Sequence, residues 1–207
     1  MRVIVVVGGL LLAPGVLRAQ TMSGWQLDAW VGAGPSVVAG SWGGVPGRRL
    51  LLGTVSWARP LLRSRTIALS YHGEVMPVAV LTGVPHHFEG WFYNVAHTES
   101  VFVSMPTDPG PVLGAGLMPV SLRISAALGS RTAAFLDAGA GGVVFTRAVP
   151  EPDARRLNVL AVAGAGVRIS RWVVGYRFVH VSNANTAPSN PGLNVHLVYV
   201  GRALTWR

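Results

Sequence analysis

Apolar side chains recur at alternate positions along much of the chain. From residue 172 onward, Trp172, Val174, Tyr176, Phe178, His180 and Ser182 occupy one set of alternate positions. Val173, Gly175, Arg177, Val179 and Val181 occupy the other. Successive side chains of a strand point to opposite faces, so one face is large and aromatic and the other is smaller and carries a charge. Segments of similar character, rich in Val, Leu, Ala, Gly and aromatics and without a sustained helical period, predict eight strands. The expected spans are 25–38, 49–60, 65–82, 113–128, 132–146, 156–169, 172–182 and 193–205.

The connections alternate in length. Gly129-Ser130-Arg131 and Ser170-Arg171 are short turns, whereas 39–48, 83–112, 147–155 and 183–192 are long. Short turns at one end and long loops at the other are the rhythm of an outer-membrane barrel. The expected fold is therefore all-β: an eight-stranded antiparallel up-and-down transmembrane β-barrel. An even strand count puts both chain ends on the periplasmic side. The strand 172–182, seventh in order, then runs outward and brings His180 and Ser182 to the outer rim. Its aromatic face meets lipid and its smaller face lines the lumen. A soluble sandwich would alternate as well, with the aromatic face as its core.

Composition separates these two cases. Half the residues are hydrophobic, only 12% are charged, and the chain has 26 Gly and 7 Trp. That mix suits short strands, tight turns and an apolar exterior. Arg2, the apolar run Val3–Leu12, the break at Pro14-Gly15 and Leu17-Arg18-Ala19 before Gln20 read as an export signal over 1–19. Residues 20–207 then form one barrel domain. The apolar run is too short for a spanning helix, which needs about 20 residues. The chain has no Cys, which excludes disulfides, a thiolate nucleophile and Cys-ligated zinc. The formal charge is +9, and every basic residue other than His is Arg. Arg forks suit phosphate oxygens. The arginines are scattered without a basic run or binding motif, so nucleic acid is not an expected partner.

Candidate chemistry gathers at the end of the seventh strand. A serine hydroxyl needs a base within hydrogen-bond reach, usually a histidine held by a third group. The i, i+2 spacing puts His180 and Ser182 on one face, with Cβ atoms about 7 Å apart. Asn183 follows, and an Asn amide can donate to a developing oxyanion.

The longer pattern is more specific. His180-Val181-Ser182-Asn183-Ala184, followed by Asn190-Pro191-Gly192-Leu193-Asn194, resembles the signature of the lipid A 3-O-deacylase family (PagL-like, acyloxyacyl hydrolase). Gly114 to Arg123, with Pro119, is similar to the family's glycine–proline strand. Ala138 to Phe145, ending near Pro150, is similar to the strand that follows it. The resemblance is weak before residue 110 and good after it. It implies an esterase in the outer membrane of a Gram-negative-type bacterium, acting on the 3-linked acyl chain of lipid A in lipopolysaccharide. It also implies Ser182 as nucleophile, His180 as general base and Asn183 as oxyanion donor. No cofactor or metal is implied, and a homodimer is allowed.

Two positions depart from the family. Fourteen residues after the histidine the family has a glutamate, and here stands Asn194. An asparagine can orient an imidazole but cannot stabilise an imidazolium by charge. Asn185 stands where the family's best-known members have glycine, at the backbone half of the oxyanion hole. Asn194 keeps a second reading open: a non-catalytic barrel of the same family with a structural or lipid-binding role.

Other polar residues have blander expectations. Glu74 is expected in the lumen, paired with Arg123 or Arg177. His86, His87, Glu89, His97 and Glu99 lie in the long 83–112 connection without regular ligand spacing, so they are expected as a polar outer loop rather than a metal site. Trp91, Phe92 and Tyr93 in that loop are candidates for an interfacial aromatic cluster. His196 alternates with Asn194, and its facing is ambiguous.

Overall fold

The computed structural model describes residues 25–83, 89–93, 98–104 and 110–204. The expected export signal lies outside them. The strands are β1 (Gln26–Val37), β2 (Arg49–Arg63), β3 (Ile67–Thr82), β4 (Glu89–Tyr93), β5 (Ser100–Ser104), β6 (Val112–Ala127), β7 (Thr132–Val149), β8 (Arg155–Ile169), β9 (Trp172–Ser182) and β10 (Leu193–Ala203). A single 3₁₀ turn, Gly40–Trp42, follows β1. Eight strands close an antiparallel barrel in the order β1-β10-β9-β8-β7-β6-β3-β2. Among the described residues no helix is long and apolar enough to cross a membrane.

The expected eight barrel strands are all present, but the 83–112 connection is not wholly irregular. It contains the hairpin β4–β5, in which Trp91 pairs with Phe102. Gly-Trp-Phe-Tyr and Val-Phe-Val are β-prone runs that pair once the loop folds back on itself. The strand β2 runs past its expected end at residue 60, because a register shift at Pro60 lets Leu62 and Arg63 pair with Leu69 and Ala68. Proline lacks an N–H for the ladder, so a bulge is where it fits.

Exposure follows the alternation. Val31, Leu122, Ile124, Leu136, Val174 and Val198 stand exposed on the outer wall. On β9, Val173, Arg177, Val179 and Val181 are buried inside, while Trp172, Val174 and Tyr176 are exposed outside. The aromatic face of this strand therefore faces outward, as its pattern predicted.

The lumen is filled rather than open. Leu, Val, Met and Phe side chains, with Trp30 and Tyr199, form a continuous apolar cluster. Set into it is a charge network. Arg177 binds Glu74 through two 2.7 Å bonds and reaches Asp137 at 3.0 Å, and Arg123 binds Asp137 at 2.7 Å. Arg177 also lies 4.9 Å above the Trp30 ring. Two carboxylates and two guanidiniums balance, which offsets the cost of burying each charge. Glu74 takes Arg177 of its two expected partners. At the mouth bearing the long loops, buried Arg48 donates to the carbonyls of Gly83 and Pro150, and so ties three loops together.

Candidate active site

The ladder between β9 and β10 explains the fourteen-residue spacing. His180 and Asn194 are direct cross-strand partners, and 183–192 is the loop that joins them. Partners on one rung point to the same face, so both side chains project outward at the loop-bearing rim. Asn194 is nevertheless fully buried, because the segment 40–44 folds over it as a strap.

The strap is held at several points. The Ala39 N–H donates to the Gly43 carbonyl at 2.8 Å, and the Gly44 N–H donates to the Pro191 carbonyl at 2.7 Å. Gly43 and Gly44 have φ of 64° and 124°, a region that favours glycine. A Cβ at Gly44 would lie 2.6 Å from Asn194 Nδ2 and 2.3 Å from the Val37 carbonyl. The close approach of strap to strand needs glycine there.

Under the strap Asn194 Nδ2 donates to the Gly43 carbonyl at 2.7 Å, and Asn194 Oδ1 lies 2.6 Å from His180 Nδ1. A carbonyl oxygen can only accept, so the amide nitrogen must face Gly43. The amide oxygen must then face His180, and it too can only accept. This assigns the proton to His180 Nδ1 and leaves the Nε2 lone pair for the cleft. Trp42 packs perpendicular to the imidazole at 5.0 Å between ring centres and closes the ring's other side.

An open cleft of about 470 Å³ lies at this point, lined by Trp42, Gly43, His180, Ser182, Asn185, Asn190, Pro191 and Gly192. His180 and Ser182, both half-buried, thus share a face and a cavity. Among the described residues the bond recorded for the imidazole is that to Asn194, and none joins His180 to Ser182. Catalytic hydrogen bonds are often long in empty sites and tighten around substrate.

Asn183 is not in the cleft. Its amide donates to the Ser189 carbonyl at 2.7 Å, its N–H goes to Asn190 Oδ1 at 3.0 Å, and the residue is buried. Strand parity turns the Asn183 side chain inward, where it frames the loop rather than lining the cleft. The residue that lines the cleft is Asn185. It has φ 62°, and its Oδ1 accepts from Asn190 Nδ2 at 2.9 Å. A left-handed backbone suits asparagine here, since Asn tolerates this region better than other side chains. The start of β8 steadies the loop, with Arg155 donating twice to the Thr186 carbonyl.

His196 is neither lumen nor cleft. It stands exposed on the outer wall one step below Asn194, with Nδ1 bonded to the Tyr176 hydroxyl at 2.5 Å. The candidate ligands His86, His87 and His97 lie outside the described residues, and of Glu89 only the backbone is described. Among the described residues no group of three His, Cys, Asp or Glu could hold a metal. Sequence reasoning missed the strap, Trp42 to Gly44. The only local signal was the run Gly40-Ser41-Trp42-Gly43-Gly44, and nothing in it points to a residue 151 positions away.

Comparison with known proteins agrees with this architecture. The crystal structure of the outer membrane enzyme PagL superposes with a TM-score of 0.59 at 16% identity, over 84% of this chain and 98% of that one. The Yersinia pestis outer membrane protein Ail gives a TM-score of 0.36 at 7% identity, over 86% of this chain and 98% of that one. No curated protein sequence matches the chain. The profile of the lipid A 3-O-deacylase (PagL) family matches residues 83–203, more than half of the 207 residues. The chain belongs to the lipid A 3-O-deacylase (PagL) family, and its fold is that family's outer-membrane barrel.

Proposed function

We propose that the protein is an outer-membrane esterase that removes the 3-O-linked acyl chain of lipid A, with Ser182 as nucleophile and His180 as general base. The observation that carries this reading is the hydrogen-bonded line Gly43–Asn194–His180, which leaves His180 Nε2 free in the cleft that Ser182 also lines. The cleft opens on the outer wall at the loop-bearing rim, where a lipid could enter sideways from the membrane.

In the proposed reaction Ser182 Oγ attacks the ester carbonyl as its proton passes to His180 Nε2. The tetrahedral intermediate collapses, the sugar O3 leaves with that proton, and the acyl group stays on Ser182. Water, deprotonated by His180, then releases the fatty acid. Asn194 holds the imidazole by its amide dipole where the family has a carboxylate. Asn185, on the wall of the cleft, supplies the oxyanion donor through its backbone or amide N–H. Lipopolysaccharide, a location in a Gram-negative-type outer membrane and a homodimer belong to this proposal through the family, and an export signal over 1–19 belongs to it through that segment's own residues.

Expression in a lipopolysaccharide-bearing host tests it. Lipid A mass should fall by one hydroxyacyl group, and Ser182→Ala should restore the parent mass. Unchanged lipid A, with the barrel shown to be folded and in the outer membrane, would favour the non-catalytic reading. Full activity of Ser182→Ala would remove Ser182 as nucleophile.

A further inference from the structure

The two rims of the barrel differ in charge. Among the described side chains, the carboxylates of Asp28, Glu74 and Asp137 point into the lumen, and those of Glu99, Glu151 and Asp153 fall in segments that connect strands at the cleft-bearing rim. None falls in the turns 64–66, 128–131 or 170–171 of the opposite rim, where Arg65, Arg131 and Arg171 lie.

Part of that opposite rim forms a built depression. A cavity of about 380 Å³ is lined by Arg131, Ser170, Arg171, Trp172 and Arg202. The three arginines come from three separate segments, and backbone bonds join these segments. The Ser170 N–H donates to the Arg131 carbonyl at 2.7 Å, and the Ala203 N–H donates to the Arg171 carbonyl at 2.8 Å. Ser170 holds φ 53°, which turns the chain sharply between β8 and β9. The guanidinium of Arg202 lies 5.6 Å over the Trp172 ring, its cross-strand partner. Among the described residues no carboxylate lines the cavity.

We propose that Arg131, Arg171 and Arg202, with Trp172, form a binding site for the anionic headgroup of a glycerophospholipid in the leaflet that meets this rim. Guanidinium forks bind phosphate oxygens in paired hydrogen bonds, and clustered basic residues at a bilayer surface attract anionic lipid. Tryptophan favours the headgroup level, where its ring faces hydrocarbon and its N–H faces water. The wall leading away from the cavity is apolar: Ile169, Val174 and Val200 stand exposed outward. A headgroup in the cavity would lay its acyl chains along that wall. A soluble anion would use the arginines but not the wall. The site rests on the barrel lying in a bilayer and not on the esterase reading, since it occupies the rim opposite the cleft.

The test uses the full barrel in nanodiscs and in detergent, with a folded-form gel shift as the check on structure. The wild type should bind phosphatidylglycerol in preference to phosphatidylcholine, and raised salt should weaken binding. Arg131→Gln/Arg171→Gln/Arg202→Gln should lose about a hundredfold in affinity for phosphatidylglycerol, while lipid A deacylation, read separately, stays at the wild-type level. Arg65→Gln, on the same rim but outside the cavity, should keep wild-type affinity. If the triple variant fails to fold, Arg202→Gln alone should show a partial loss. Equal binding of both lipids, an equal loss in Arg65→Gln, or inorganic phosphate binding as tightly as the lipid would each overturn the site.

Discussion

His180 and Asn194 are joined across one rung by a 2.6 Å hydrogen bond whose direction is set from behind by the Gly43 carbonyl. In a serine-protease triad, replacing the carboxylate by its amide costs about 10⁴-fold, because the amide can present its N–H and stabilise the wrong tautomer. Here that flip would set the Asn194 carbonyl oxygen against the Gly43 carbonyl oxygen, whichever tautomer the imidazole adopts. Asn194→Ala should therefore lower kcat by about 10²- to 10⁴-fold. ¹⁵N chemical shifts of the ring should show the Nδ1–H form of His180 in the wild type and a mixture of tautomers in the variant. A single tautomer in both would remove Asn194 as the orienting group.

The strap makes a prediction of its own. Gly44→Ala places a methyl where Asn194 Nδ2 and the Val37 carbonyl already lie, at a backbone angle alanine resists. The cost is about 1–3 kcal/mol and is confined to the strap. Deacylation should fall at least tenfold while the barrel still folds and resists heat as before. Wild-type activity in this variant would show that the strap does not set the amide.

Asn185 separates backbone from side chain. Gly at this position relieves the left-handed conformation, so Asn185→Gly should fold at least as well as the wild type. If the backbone N–H is the oxyanion donor, kcat of Asn185→Gly stays within a few-fold of wild type. A large fall in kcat at unchanged KM would assign the donor to the side-chain amide instead.

In the lumen, Arg177→Met strands Glu74 and leaves Asp137 with Arg123 alone. Breaking a buried pair from one side costs about 3–5 kcal/mol. Urea unfolding of the barrel in detergent should show that loss. Adding Glu74→Gln should recover part of it, because the stranded charge is removed. Strictly additive losses would mean the two residues are not energetically coupled.

Much of this was legible along the chain. Alternation with an aromatic outer face and turns of alternating length predicted the barrel and the outward projection of His180 and Ser182. The Glu74 pairing was legible to within two arginines. Asp137 went unnoticed because a lone carboxylate among Ala and Gly gives no local sign of a partner forty residues away. The inward turn of Asn183 continues the same parity that turns Ser182 outward, but the strand ends at Ser182, where alternation no longer fixes a side chain's facing.

What the sequence by itself determined is the period-two pattern, because the side chains of a strand alternate whatever the strand pairs with. That pattern sets strand count, facing and the shared face of His180 and Ser182. Only the tertiary structure decided how Asn194 serves. Closing the sheet brings β1 beside β10, and the strap after β1 falls across the β9–β10 rung. The Gly43 carbonyl then reaches the amide. An amide's orientation depends on what lies on its far side, and here that neighbour is supplied by barrel closure.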